Sequence, residues 1–255
     1  GFCFQGCKFG AKGSSAYSDI PKGEATGNLE VRTHAQVLKI EHDAQGKVTG
    51  VIYADKDGNQ QLQKARIVAV AGNSIESPRL LLNSASSMFP DGLANSSGQV
   101  GKNYMRHMTA SMYAVFPEPV RFWRGTTMAG IITDESIHDP SRGFVGGYEL
   151  ETLALGIPFM AAFLDPGGWG RSFTGALDMY ENMAGLWIVG EDMPQESNGV
   201  TLNTDVKDQY GLPAPNVHFT NHPNDNAMRN HAWGQAQKLY DSVGATRTYP
   251  TPPYP

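Results

Sequence analysis

Apolar and polar positions follow two different periods along this chain. From Asn28 to Ile40 the order N-L-E-V-R-T-H-A-Q-V-L-K-I spaces Leu29, Val31, Ala35 and Val37 for an extended backbone, then shifts to Leu38 and Ile40. That pattern predicts a buried strand pair. Lys47 to Asp55 (K-V-T-G-V-I-Y-A-D) alternates and is rich in β-branched residues, so it predicts a strand. Asp57-Gly58 is a hairpin turn signal, and Gln60 to Ala71 is the return strand, closing on the apolar run Ile67–Ala71. Ahead of these, residues 8–20 are small and polar and lead into a short helix expected to end before Pro21. The return strand enters Gly72-Asn73-Ser74-Ile75-Glu76-Ser77-Pro78, and a helix follows over Arg79–Ser84. Ser77 suits the N-cap and Pro78 the first helical position.

After Gly98-Gln99-Val100-Gly101-Lys102-Asn103 the texture changes. Residues 108–220 are aromatic, Met-rich and broken by glycines. Their short alternating runs are Thr109–Phe116, Met128–Thr133, Gly156–Leu164, Ala184–Gly190, Gly199–Leu202 and Asn216–Phe219. Such runs predict an antiparallel sheet with long loops. Asn224–Val243 then returns to helical spacing, with Met228, His231, Ala232, Gln235, Leu239 and Val243 on one face and Gly244 as the stop. The fold class expected is α+β, in three parts: residues 1–107, 108–223 and 224–255.

Composition narrows the function classes. With 40% hydrophobic and 18% charged residues in 255, the chain is globular and long enough for a real core. A net charge of −5 without a long basic run argues against nucleic-acid binding. No apolar run is long enough to span a bilayer. No glycine-rich G-x-G-x-x-G is present. The chain begins inside Gly1-Phe2-Cys3-Phe4-Gln5-Gly6-Cys7 and ends on Thr251-Pro252-Pro253-Tyr254-Pro255, so it reads as an internal piece of a larger protein.

Several residues carry candidate chemistry. A strand, a glycine turn and a helix start at Ala71–Pro78 make an anion site, since free N–H groups and the helix dipole converge there. The same pattern also describes a plain strand-to-helix connection, and on the pattern alone that reading is the better one. Cys3 and Cys7, the only cysteines, suit either iron–sulfur ligation or two ordinary thiols, free or disulfide-bonded. Seven histidines are scattered, and none forms an H-x-x-x-H pair on a helix. His218 and His222 have that spacing but read as loop or core residues, and His42 as solvated. Asp178, Glu181, Glu191 and Asp192 read as a solvated acidic surface. No G-x-S-x-G elbow supports a serine hydrolase.

Three stretches together resemble the glucose–methanol–choline (GMC) family of flavin oxidoreductases. They are Asn28-Leu29-Glu30-Val31-Arg32-Thr33 through Val37 and Ile40; Ala71-Gly72-Asn73-Ser74-Ile75-Glu76-Ser77-Pro78-Arg79-Leu80-Leu81-Leu82; and Val100-Gly101-Lys102-Asn103-Tyr104-Met105-Arg106-His107. Glu196–Leu202 and Asp208–Pro213 resemble the end of the family's substrate domain. The opening G-F-C-F-Q-G-C-K-F-G-A-K-G-S looks like the branch of gluconate, sorbitol and glucose dehydrogenases. The resemblance implies an FAD-binding portion in 1–107, an antiparallel substrate domain in 108–223, and a helix and tail in 224–255 leading back to the FAD domain. It implies FAD contacts at Val37, Ala71, Gly72, Asn73, Ser74, Ser77 and Pro78, and Cys3 and Cys7 as iron–sulfur ligands.

By the same resemblance the parent enzyme oxidises a sugar, sugar acid or polyol by hydride transfer to flavin. Its partners would be a cytochrome c subunit and a small subunit. Its place would be the periplasmic face of a bacterial inner membrane, held through a partner. The family's catalytic histidine would lie beyond Pro255, His107 would be structural or flavin-adjacent, and the chain alone would hold FAD weakly and be inactive. Trp123, Trp169, Tyr180 and Trp187 are candidates to line the substrate pocket. Two alternatives remain: a non-catalytic substrate-domain module that binds a partner subunit, and an oxidase using oxygen.

Overall fold

The computed structural model describes residues 13–124, 126–154, 156, 164 and 167–251. The chain divides into two compact units.

The first unit comprises residues 15–105 and 194–220. It opens with helix α1 (Asp19–Ala25), which starts later than expected and takes Pro21 into its first turn, where a missing N–H costs nothing. Strands β1 (Gln36–His42), β2 (Val48–Ala54) and β3 (Gln60–Lys64) form an antiparallel meander. The turn at Gly58 has φ +82°, with its N–H donated to the Asp55 carbonyl. Two expectations fail here. Residues 28–35 carry no strand, and Leu29 and Val31 are exposed, so β1 stands without the predicted partner. The run Ile67–Ala71 is not a strand either, and Ile67 is 86% exposed. Apolar residues make a strand only where a neighbour accepts their backbone bonds, and the described residues supply none here.

Helix α2 (Asn73–Asn83) packs on β1 and on the hairpin of β8 (Gly199–Lys207) and β9 (Pro213–His218). The buried Ser84 hydroxyl ties α2 to β1. It accepts from the Ile40 amide at 3.0 Å and donates to the Leu80 carbonyl at 2.7 Å.

The second unit comprises residues 1–14, 106–193 and 221–255, within the described residues given above. Its five-stranded antiparallel sheet uses β4 (Met108–Val115), β5 (Ile131–Ile132), β6 (Tyr148–Leu153), β7 (Met183–Gly190) and β10 (Arg247–Pro250), ordered β10-β4-β7-β6-β5. Sequence alternation anticipated β4 and β7; β6 and β10 went unseen, as did helix α3 (Gly170–Asp178). The expected run Gly156–Leu164 lies almost wholly outside the described residues.

Helix α4 (Pro223–Ser242) covers one face of this sheet. Its buried stripe is Met228, Ala232, Ala236 and Tyr240, spaced by four, while Val243 is exposed. The Tyr240 ring is in the core and its hydroxyl donates to the Met112 carbonyl. Gly244, at φ +81°, ends the helix as expected. Residues 194–220 belong to the same compact unit as 15–105. No helix among the described residues is long and apolar enough to cross a membrane.

Candidate functional site

The start of α2 differs from its sequence reading. The helix begins at Asn73, with Gly72 as N-cap, and Pro78 lies inside it. Asn73 takes φ +66°, a left-handed conformation that asparagine tolerates better than most side chains. This turns its Oδ1 onto the Ile75 amide at 2.8 Å and the Glu76 amide at 3.1 Å. Ser77 is not the N-cap; its hydroxyl accepts from the Gly72 amide at 3.0 Å. The expected free anion-binding amides are therefore partly capped: those of Gly72, Ile75 and Glu76 already donate to side chains. Pro78 removes a further donor.

A cleft of about 270 Å³ opens beside this helix start. Val37 lines it together with Ala71 and Gly72, which are far from it in sequence. The run that failed as a strand, Val68–Ala71, supplies much of its apolar wall, along with Leu38 and Val51. Gln36, Glu76, Arg79, Asn83 and Asp208 supply polar groups. Gly72 has little room for a side chain, since a Cβ there would sit 3.2 Å from the Glu76 Cβ and 3.3 Å from the Ser77 nitrogen. Ser74, Ser77 and Pro78 line a different cleft of the same unit, about 380 Å³, with Val100, Gly101 and Asn103. The predicted cofactor residues thus fall into two groups. Asn73 borders neither cleft, its side chain being spent on the cap.

Sequence reading missed Arg79 and Asp208. Arg79 donates from Nη2 to Asp208 Oδ2 at 2.6 Å, from Nη1 to Glu76 Oε2 at 3.1 Å and from Nε to the Pro213 carbonyl at 2.9 Å. Burial alone would raise the Asp208 carboxyl. The amides of Leu212 and Tyr210 and the Arg79 guanidinium outweigh it and hold that carboxyl below its ordinary value. No local pattern links two residues so distant in sequence. The stability this depressed carboxyl provides is in place above about pH 4, near its unfolded value, and disappears as pH falls through its lower folded value. We expect acid titration of urea unfolding to show this loss, and Asp208→Asn to remove that part of the acid sensitivity. Superimposable acid profiles for the two proteins would contradict the assignment.

Other residues settle as follows. His42 is not solvated: its ring sits between the Asp43 carbonyl at 2.8 Å and the Ser86 hydroxyl at 2.9 Å, edge-on to Phe89. His218 ends β9, and His222 is the N-cap of α4, its Nδ1 accepting from the Asn224 amide at 3.0 Å. Asp192 is half-buried rather than surface-lying; burial raises its carboxyl, which accepts from the Arg106 amide at 2.7 Å. His107 is exposed and lines a small cleft of the second unit, about 160 Å³, with Ser136, Tyr148, Glu149 and Glu191.

Trp123 and Tyr180 meet as a tilted pair, 4.6 Å between centroids and 46° between planes. Tyr180 and Trp187 pack against the buried cluster of Tyr113, Leu153 and Met183. Trp169 is 91% exposed. None of these four aromatic residues lines the three clefts described. Cys3 and Cys7 lie outside the described residues, and among the described residues no group of three or more His, Cys, Asp or Glu is placed to hold a metal.

Comparison with known proteins adds a lineage. Residues 1–109 match the family model described as GMC oxidoreductase. The chain is 35% identical to 2-methyl-1,2-propanediol dehydrogenase of Mycolicibacterium austroafricanum, over 96% of this chain and 46% of that protein. It is 29% identical to the fructose dehydrogenase large subunit of Gluconobacter japonicus, over 85% and 40%. It is 25% identical to the gluconate 2-dehydrogenase flavoprotein of Pantoea cypripedii, over 95% and 41%. The chain thus spans less than half the length of these relatives. Among solved structures, an R554K variant of Aspergillus oryzae RIB40 formate oxidase superposes with a TM-score of 0.59 at 16% identity, over 88% of this chain and 46% of the other. That likeness speaks to the fold alone.

Proposed function

Because this chain belongs to the GMC oxidoreductase family, we propose that its parent is an FAD-dependent oxidoreductase acting on the CH–OH group of a sugar, sugar acid or polyol. The observation that carries the reading is the cleft where Val37 meets Ala71 and Gly72. An apolar wall with a few polar groups at its edge suits a planar heteroaromatic ring. Val37, Leu38 and Val70 would keep water from the ring's faces, and Gln36 and Asn83 offer hydrogen bonds at its edges. Absence of a Cβ at Gly72 lets the backbone approach closely. Ser74, Ser77 and Asn103, in the second cleft, would orient the rest of the cofactor. When bound, FAD supplies the hydride acceptor; the protein contributes position, exclusion of water and charge.

In this reading residues 108–223 belong to the substrate side, and His107 lies close to the flavin. Dehydrogenase names among the relatives, the 35% identical one included, support a dehydrogenase for this chain's parent, and oxygen use is the competing outcome, supported by two oxidase relatives at 27% and 26% identity. Cys3 and Cys7 as iron–sulfur ligands, a cytochrome c partner with a small subunit, and a periplasmic site rest on the sequence resemblance. Iron and sulfide analysis of the whole protein tests the first of these.

The decisive experiment is on the whole protein. Purified and desalted, it is expected to show flavin absorption, and anaerobic addition of a panel of polyols, ketoses and sugar acids is expected to bleach it. Protein that takes up no flavin from added FAD refutes the proposal. Flavin that stays oxidised with every alcohol refutes the reaction class.

A further inference from the structure

Asp208 divides its work between its two oxygens. Oδ1 accepts from the amides of Tyr210 at 2.8 Å and Leu212 at 3.0 Å, which shapes the turn between β8 and β9. Gly211, at φ +79°, completes that turn. Oδ2 accepts from Arg79 on α2 at 2.6 Å, and Arg79 also holds the Pro213 carbonyl at the turn's far side. One guanidinium therefore fastens both ends of the turn to the helix. Its side chain is only 11% exposed, so the bonds are shielded from water on most sides. Arg79, Asp208 and Leu212 all line the cleft that contains Val37 and Gly72. Only a planar fork reaches three acceptors at once; a lysine ammonium in its place is a point charge on a flexible stem.

We propose that Arg79 and Asp208 form a positioning pair that sets the wall of this cleft opposite Val37, and so its grip on the adenosine half of FAD. The inference rests on the cofactor reading of the cleft given above, taken with the adenine as the planar ring against Val37, which the family resemblance implies. Arg79 acts through the turn it holds: when the fork is lost, Leu212 is free to withdraw and the cleft widens. Asp208 belongs to a hairpin that sequence resemblance assigns to the substrate domain, so a substrate-side segment takes part in holding the cofactor.

FAD, FMN and ADP titrations of the whole protein test this. FMN carries the same ring system but lacks the adenosine half. Wild type is expected to bind FAD more tightly than FMN, with ADP competing against FAD. Arg79→Met is expected to weaken FAD about tenfold as the wall of the cleft loosens, and to leave FMN within about twofold. Arg79→Lys should not restore FAD binding. Asp208→Asn keeps an acceptor for the turn amides and removes the charge, so an intermediate loss is expected. Amide exchange at Tyr210 and Leu212 should quicken in Arg79→Met.

An unchanged FAD-to-FMN ratio in both Arg79→Met and Asp208→Asn would overturn the proposal. So would an equal loss of both flavins, which would mean only general loosening. Wild type that binds neither FAD nor ADP removes the cofactor reading of the cleft, and this inference with it.

Discussion

Gly101→Ala is expected to destabilise the protein by about 3 kcal/mol or more, placing it among the severe single substitutions. Two effects combine. Gly101 has φ +84°, where an L side chain costs about 1–2 kcal/mol. A Cβ there would also sit 2.1 Å from the Val200 carbonyl oxygen, a distance no packed structure accepts. Relief by movement is blocked, because the Val200 amide donates to the Gly101 carbonyl at 2.6 Å and β8 is held in register with β9. Gly98 is the control. It has φ +68° but nothing within 4 Å of an added Cβ, so Gly98→Ala should cost only about 1 kcal/mol. Urea unfolding followed by far-UV circular dichroism measures both. Equal midpoints for the two variants would show that the clash is absent. Gly101 also borders the cleft of Ser74 and Ser77, so a surviving Gly101→Ala protein should have altered flavin binding too.

Asp225→Ala is expected to cost about 3 kcal/mol, from the loss of two hydrogen bonds to a buried carboxylate. Asp225 is 1% exposed at the first turn of α4. Its Oδ1 accepts from the Met193 amide at 3.1 Å and its Oδ2 from the His222 amide at 3.2 Å. The first bond anchors the segment that leaves β7, and the second closes a reciprocal cap in which the His222 ring holds the Asn224 amide. Alanine would leave two donors without their partner in a site sealed from water, and the helix would lose a cap contact of about 1 kcal/mol. Asp225→Asn should fall between alanine and wild type, since one amide oxygen replaces two carboxylate oxygens and its NH₂ faces a donor. Thermal unfolding orders the three proteins; an alanine variant as stable as wild type would show that these bonds contribute nothing net.

Much of the fold was legible where a local pattern and its partner lie close in sequence. β2, the Gly58 turn and β3 follow from alternation and an Asp-Gly step, and α4 follows from helical spacing stopped by Gly244. The strands β4 and β7 were visible for the same reason. Errors came where a partner was needed. Leu29, Val31 and Ile67 read as strand residues, yet no ladder among the described residues receives them. At Asn73–Pro78 the local rules for caps favoured Ser77 and Pro78. The structure starts the helix at Asn73, because its side chain turns back onto two amides from a left-handed backbone that sequence does not announce.

The candidate site shows the same division. Sequence by itself determined which residue types stand at Val37, Ala71 and Gly72, and the order of motifs that marks the family. Only tertiary structure decided that these three share a cleft, that Ser74, Ser77 and Pro78 border another, and that Arg79 holds Asp208 in the wall of the first. The physical reason is range. Caps, turns and amphipathic stripes arise from bonds within a few residues, so they leave a local pattern. The Arg79–Asp208 pair and the approach of Gly101 to Val200 depend on two segments packing together, and no periodicity along the chain records that meeting.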